Sequence, residues 1–183
     1  IWFKSTKTLE LTEFLGYDQV KSQSIILQIV YKDKIIENIN EGDEASIILN
    51  QTPFYGESGG QIGDSGLLVK NNSQFKVSHT SKIFDKYFIH WGKVIKGQFS
   101  INDAITSSID EYKRNLICNN HSSTHLLHES LRQILGNHVT QKGSLVNSEK
   151  LRFDFSHNDI ISLENINKLE HKVNFIIGQK NSV

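Results

Sequence analysis

The hydrophobic period of this chain changes once, near residue 109, and that switch restricts the 183 residues to a two-part architecture. Up to about Phe99 the apolar residues come in short β-branched or aromatic runs: Ser24–Tyr31, Ile35-Ile36, Ala45–Leu49, Gly66–Val69, Phe75–Val77 and Tyr87–Trp91. Turn formers fall between them, at Glu41-Gly42-Asp43, Gly63-Asp64-Ser65-Gly66, Asn71-Asn72 and Gly92. Short strands at such regular spacing predict a small antiparallel barrel or sandwich. From Ile109 onward the spacing is helical. Leu126, Leu127, Ser130, Leu131, Ile134 and Leu135 recur on one face, and Gly136 stands where a helix C-cap belongs.

A hairpin is expected next, from Gly143–Val146 through a turn at Asn147–Lys150 to Leu151–Phe155. Alternation puts Leu151, Phe153 and Phe155 on one face of the last strand, with Arg152 and Asp154 on the other. Ser162 is placed to cap a second helix, with Glu164 in its first turn. Leu163, Ile166, Leu169, Val173 and Ile176 would form its buried stripe. The reading is α+β: a β-barrel portion over residues 1–105 that includes the Thr52–Gln61 loop, then helices packed on one face of an antiparallel sheet over residues 106–183.

Composition narrows the partners. Twenty basic and twenty acidic residues cancel, and the pI is about 7.3, so no bulk attraction to nucleic acid or membrane is encoded. A local basic patch remains compatible with that balance. Cys118 is the only cysteine, which excludes an intrachain disulfide and suggests a cytoplasmic location. No apolar run reaches membrane-spanning length, and Ile1-Trp2-Phe3-Lys4 does not open a signal peptide. The absence of an initial Met and the ending at Val183 suggest a piece of a longer protein.

Two constellations carry chemistry. His121-Ser122-Ser123-Thr124-His125 lies within the helical segment, and residues four apart share a face, so both imidazoles could converge on one zinc ion. The competing reading makes His121 a capping group and His125 a hydrogen-bonded core group. Asn119 or Asn120 is a good N-cap, which would put both histidines near the helix start. Cys118 is expected to be buried as a small hydrophobe and His128 to be solvated, so neither joins the site. The second constellation is Thr52–Asp64, which holds the only proline, three glycines between Gly56 and Gly60, and Gln61 as a combined donor and acceptor. It can also be read as an ordinary strand-to-strand loop. No Gly-Lys-Ser/Thr follows, so it is not a phosphate-binding loop.

The order of the pieces is more specific than any one of them. Gln51-Thr52-Pro53-Phe54-Tyr55-Gly56-Glu57-Ser58-Gly59-Gly60-Gln61-Ile62-Gly63-Asp64 comes first, and His121-Ser122-Ser123-Thr124-His125-Leu126-Leu127-His128 second. Gly136-Asn137-His138-Val139-Thr140-Gln141-Lys142-Gly143-Ser144-Leu145-Val146 and Leu151-Arg152-Phe153-Asp154-Phe155-Ser156-His157 follow. Together with Phe14-Leu15-Gly16-Tyr17-Asp18, this series closely resembles the editing region of bacterial alanyl-tRNA synthetases over nearly the whole chain.

The resemblance implies a fragment whose parent charges tRNA(Ala) with alanine using ATP and Mg2+ in a separate, absent domain. This region would hydrolyse mischarged seryl- and glycyl-tRNA(Ala) through the α+β editing fold shared with threonyl-tRNA synthetases. It implies zinc on His121 and His125, with two further ligands from a Cys-x-x-x-His pair that lies beyond Val183. Thr52 would read the serine hydroxyl and Gln61 would orient the ester or the water. Glu57, Ser58, Gly59 and Gly60 would line the pocket. Zinc could activate the water or hold the terminal ribose, and both remain open. The acceptor end of tRNA is the implied partner, with Lys113, Arg114, Lys142 and Arg152 as candidate phosphate contacts. A free-standing editing hydrolase and a non-catalytic tRNA-binding module are the rival readings.

Overall fold

The computed structural model describes residues 9–179, so Ile1-Trp2-Phe3-Lys4 and the final Lys180–Val183 lie outside the described residues. Two compact units emerge. One runs to Ser58 and resumes over Ile62–Arg114; the other comprises Gly59–Gln61 and the residues from Asn115 onward.

The first unit is all β. Its strands in chain order are β1 (Glu13–Phe14), β2 (Lys21–Tyr31), β3 (Lys34–Ile36), β4 (Asn38–Asn40), β5 (Glu44–Leu49) and β6 (Gln51–Thr52). Then come β7 (Gly66–Lys70), β8 (Ser73–Ile83), β9 (Tyr87–Lys96), β10 (Gln98–Ser100) and β11 (Ala104–Ile109). Six of them run antiparallel in the order β11-β7-β8-β9-β5-β2, and β11 pairs again with β2, which closes a barrel and removes its open edges. β3 adds to β2, β10 pairs with β4, and β1 pairs in parallel with β6. The division expected between residues 105 and 106 falls inside β11. That strand carries few apolar residues, yet Ile105, Ser107 and Ile109 are buried. The Ser107 hydroxyl lies 2.9 Å from both Ser22 and Ser24, so the buried polar atoms satisfy one another.

Inward alternation builds the core from Ile26, Ile47, Leu49, Phe54, Leu68, Phe75, Val94, Phe99 and Ile105. Phe75 meets Phe99 edge to face at 6.2 Å between ring centroids. One imidazole sits among them. His90 is fully buried, opposite Ile47 in the β5–β9 register. Its Nδ1 is 3.0 Å from the Ile47 carbonyl and its Nε2 is 2.8 Å from Thr52 Oγ1. A carbonyl can only accept, so Nδ1 carries the proton and the Thr52 hydroxyl donates to Nε2. Burial pushes the His90 pKa down to about 4, against the opposing effect of the Ile47 hydrogen bond.

A buried ion pair anchors the Thr52–Asp64 loop. Asp64, 2% exposed, accepts from the Tyr55 N–H at 2.8 Å and pairs with the Arg114 guanidinium through Nε at 3.0 Å and through Nη2. Arg114 also donates to the carbonyls of Gly16 (2.9 Å) and Pro53 (3.0 Å). The phosphate contact expected of Arg114 is therefore corrected, because its donors are committed within the barrel unit. Gly16 is required by close approach: a Cβ there would stand 2.3 Å from the Pro53 oxygen.

The second unit is α+β. Helix α1 spans Glu111–Leu135, the hairpin strands are β12 (Gln141–Val146) and β13 (Leu151–Phe155), and α2 covers Leu163–Gly178. Leu131, Val139 and Leu169 form the small core, with Leu127, Ile134, Leu135, Phe153 and Phe155 packed on it. The Ser162 hydroxyl accepts from the Asn165 N–H at 3.2 Å, the N-cap expected there. The buried stripe expected on α2 is narrower than its sequence suggests. Only Leu169 is buried, while Leu163 is 74% exposed. The α1 start also moves. Asp110 accepts from the Lys113 N–H at 3.1 Å and caps the helix well before Asn119 and Asn120, so both histidines are mid-helix rather than at its start.

Two outcomes are expected. Asp64→Ala, which strands the Arg114 guanidinium, should cost about 3–5 kcal/mol in urea unfolding; a loss below about 1 kcal/mol would contradict a buried pair. His90 binds a proton more readily unfolded than folded, so stability should be full above pH 6.5 and decline as pH falls from 6.5 to about 4. His90→Gln should flatten the pH dependence of the unfolding free energy across that window by up to about 1.4 kcal/mol per pH unit.

Candidate functional site

The histidine pair owes its position to the packing of α1. Ile117, Thr124 and Leu131 recur every seventh residue as its buried line, and His121 and His125 lie on the adjoining flank. The Thr124 hydroxyl donates to the Asn120 carbonyl at 2.8 Å, and Asn120 Nδ2 donates to the Asn147 carbonyl at 2.8 Å, which ties this stretch of helix to the β12–β13 turn. The two imidazoles are nearly parallel, 21° apart with centroids at 5.0 Å. Burial first, and then the neighbouring His125, lower the pKa of His121. Metal binding needs neutral imidazoles, so that shift favours it.

Gln61 joins them. Its Oε1 lies 2.6 Å from His121 Nδ1, and the residue is buried. The backbone on either side is held by β12: the Val146 N–H donates to the Gly60 carbonyl at 2.7 Å, and Gln61 bridges in parallel to Val146. Gly60 has φ +84°, and a Cβ there would reach 2.4 Å from Ser144 Oγ. Gly59 is exposed.

The other expected site residues belong to the barrel unit. The Thr52 side chain is fully buried; its hydroxyl donates to His90 and accepts from the Phe54 N–H at 3.2 Å. Glu57 is exposed and pairs with His79 Nε2 at 3.2 Å, and the half-buried Ser58 offers its carbonyl to the Tyr55 hydroxyl at 3.3 Å.

Two neighbours of the histidine pair depart from expectation. Cys118 is exposed rather than buried, because Ile117 takes the inward place at that turn. His128 is half-buried rather than solvated: its ring lies 5.0 Å from Phe153, and its buried Nε2 has no hydrogen-bond partner among the described residues. Sequence reading also passes over His90 and Ser144. Alternation along Tyr87–Trp91 does not single out His90, because Tyr87, Phe88, Ile89 and His90 are all buried. Nothing in the sequence points to Ser144 as the neighbour of Gly60.

As a metal site the arrangement is partial. His121 and His125 supply two nitrogen donors of the kind zinc takes, and among the described residues no group of three or more His, Cys, Asp or Glu side chains converges. The donor set fits half of a tetrahedral centre.

Among the described residues no helix is long and apolar enough to cross a membrane. The sequence pattern of tRNA synthetases class II (A) matches residues 3–113. The alanine–tRNA ligase of Ruthia magnifica subsp. Calyptogena magnifica is 48% identical over 171 residues, 93% of this chain and 20% of that protein. Those of Mesorhizobium japonicum and Rhodopseudomonas palustris are each 42% identical over 183 residues, all of this chain and 21% of theirs. The chain thus spans about a fifth of the length of these relatives. With its closed barrel and its histidine-bearing α+β unit, the chain belongs to the class II (A) tRNA synthetase family and fits an internal stretch of an alanyl-tRNA synthetase.

Proposed function

We propose that this chain is the editing region of an alanyl-tRNA synthetase, and that its second unit carries the zinc-assisted hydrolysis of seryl- and glycyl-tRNA(Ala). The parent would charge tRNA(Ala) with alanine using ATP and Mg2+ elsewhere in its length, in the cytoplasm. The α+β unit would be the editing fold shared with threonyl-tRNA synthetases. The observation that carries the reading is the cluster of Gln61, His121 and His125, in a chain whose relatives are alanine–tRNA ligases.

The chemistry follows from the groups available. In hydrolysis, water adds to the ester carbonyl carbon, and the bond to the ribose oxygen breaks to release free amino acid and tRNA. The negative charge that develops on the carbonyl oxygen needs stabilising in a preorganised site. His121 and His125 would hold zinc, with two further ligands from elsewhere in the protein; bound there, zinc supplies Lewis acidity toward the water or a hold on the terminal ribose. The Gln61 amide NH2 remains a donor for the ester or the water, since its Oε1 is taken by His121. Glu57, Ser58, Gly59 and Gly60 would line the substrate pocket. Lys142, exposed on β12, is the proposed phosphate contact; Arg152 already pairs with Asp154.

Selection turns on one hydroxyl. A site that hydrogen-bonds it discriminates by about 10⁴ or more, because alanine leaves buried polar groups unpaired. Thr52 is the proposed reader. Its proton is committed to His90, so it would serve as an acceptor from the serine hydroxyl, and this would require its buried side chain to become accessible.

In the full-length synthetase, His121→Ala/His125→Ala should reduce seryl-tRNA(Ala) hydrolysis to the spontaneous rate while alanine charging continues. Undiminished hydrolysis would refute the reading. Thr52→Val should narrow the preference for seryl- over alanyl-tRNA(Ala) by about 10-fold or more, the worth of one buried hydrogen bond. Thr52→Ser, which keeps the hydroxyl, should preserve it. Equal discrimination in Thr52→Val and the parent would remove Thr52 from the selection.

A further inference from the structure

We propose that Gln61 is a positioning residue for the metal ligand His121: its side-chain carbonyl fixes which ring nitrogen carries the proton and so leaves Nε2 open to a metal. The inference rests on the reading of His121 and His125 as metal ligands. A neutral imidazole has one proton and one lone pair, and only the nitrogen without the proton can ligate. Gln61 Oε1 lies 2.6 Å from His121 Nδ1, and a carbonyl oxygen has nothing to donate. Nδ1 must therefore be the donor, which makes Nε2 the free nitrogen. Metal-bound histidines commonly pass their other ring proton to such an acceptor, which sets ring orientation as well as tautomer.

The acceptor is itself immobilised. Gln61 is 7% exposed, so water competes poorly for either partner. Its backbone is bridged to Val146, and the preceding carbonyl receives the Val146 N–H at 2.7 Å. That docking needs Gly60 in a left-handed conformation, φ +84°, with no Cβ in the space held by Ser144 Oγ and the Ser144 carbonyl. Gly60 thus has a structural reason to be glycine besides ligand access: it lets the Gly59–Gln61 segment approach β12 closely enough to bring Gln61 to His121. On the helix side, the Asn120–Asn147 hydrogen bond holds the same hairpin against the turn that carries His121. Both partners are referenced to one β-hairpin, so their 2.6 Å contact is a property of the unit rather than of two loose side chains.

The test reads the tautomer directly, in the metal-free 183-residue chain, by long-range 1H–15N correlation of the histidine rings. Wild-type His121 should appear as the Nδ1–H form. Gln61→Leu should move it toward Nε2–H without altering His125, and in the full-length synthetase it should weaken zinc binding, measured by chelator competition, by about 10- to 100-fold. Gln61→Glu, which keeps an acceptor at the same reach, should retain the Nδ1–H form and restore most of the affinity. A wild-type His121 in the Nε2–H form would overturn the proposal. So would a Gln61→Leu protein with unchanged tautomer and unchanged zinc affinity. Because the tautomer is read without metal or tRNA, absence of deacylation from the synthetase would count against the editing function alone.

Discussion

The hydrogen bond from the Val146 N–H to the Gly60 carbonyl is the contact on which the site in the second unit depends. It seats Gly59–Gln61 along β12, where Gly60 passes so close to Ser144 that no side chain fits. With the backbone held, Gln61 reaches His121 at 2.6 Å. Mid-helix placement gives His121 and His125 a rigid i, i+4 relation, with rings 5.0 Å apart. Rigid elements position functional groups better than loops do, and here the helix carries both histidines while the hairpin holds the tripeptide that carries Gln61.

The barrel unit solves a different problem, that of carrying polar groups inside a closed sheet. Ser22, Ser24 and Ser107 satisfy one another, Asp64 is met by Arg114 and the Tyr55 N–H, and His90 is bonded at both nitrogens. Each arrangement offsets the cost of burying a polar group in a low-dielectric interior. One consequence is directional. Because the Ile47 carbonyl accepts from His90, the Thr52 proton must point inward, and any further partner of Thr52 would have to be a donor. The loop motif therefore has structural duties along its length: Thr52 and Asp64 within the barrel, Gly60 and Gln61 within the second unit.

Local signals made much of the fold legible. Alternation located β13 at Leu151–Phe155, Ser162 marked the start of α2, and the β-branched runs located β2, β5 and β7 to within a few residues. What stayed hidden depends on tertiary partners. β11 could not be read because its inward serine, Ser107, is stabilised by serines more than eighty residues away. The helix start was misplaced because Asn119-Asn120 have the chemistry of a cap, whereas Asp110 performs it. Arg114 has the composition of a phosphate contact and the surroundings of a buried ion-pair partner. His121, His125 and Gln61 were nameable from their motifs, but their convergence follows from β12 docking, which no local pattern announces.

The most direct measurement is a zinc-edge anomalous difference map of the full-length synthetase, crystallised with zinc and a non-hydrolysable amide analogue of a seryl-adenosine 3′ end. The account predicts metal on His125 and on Nε2 of His121, Gln61 Oε1 still accepting from His121 Nδ1, and the analogue's carbonyl beside that centre. Metal bound elsewhere, or on Nδ1 of His121, would contradict it, as would an analogue seated away from these residues.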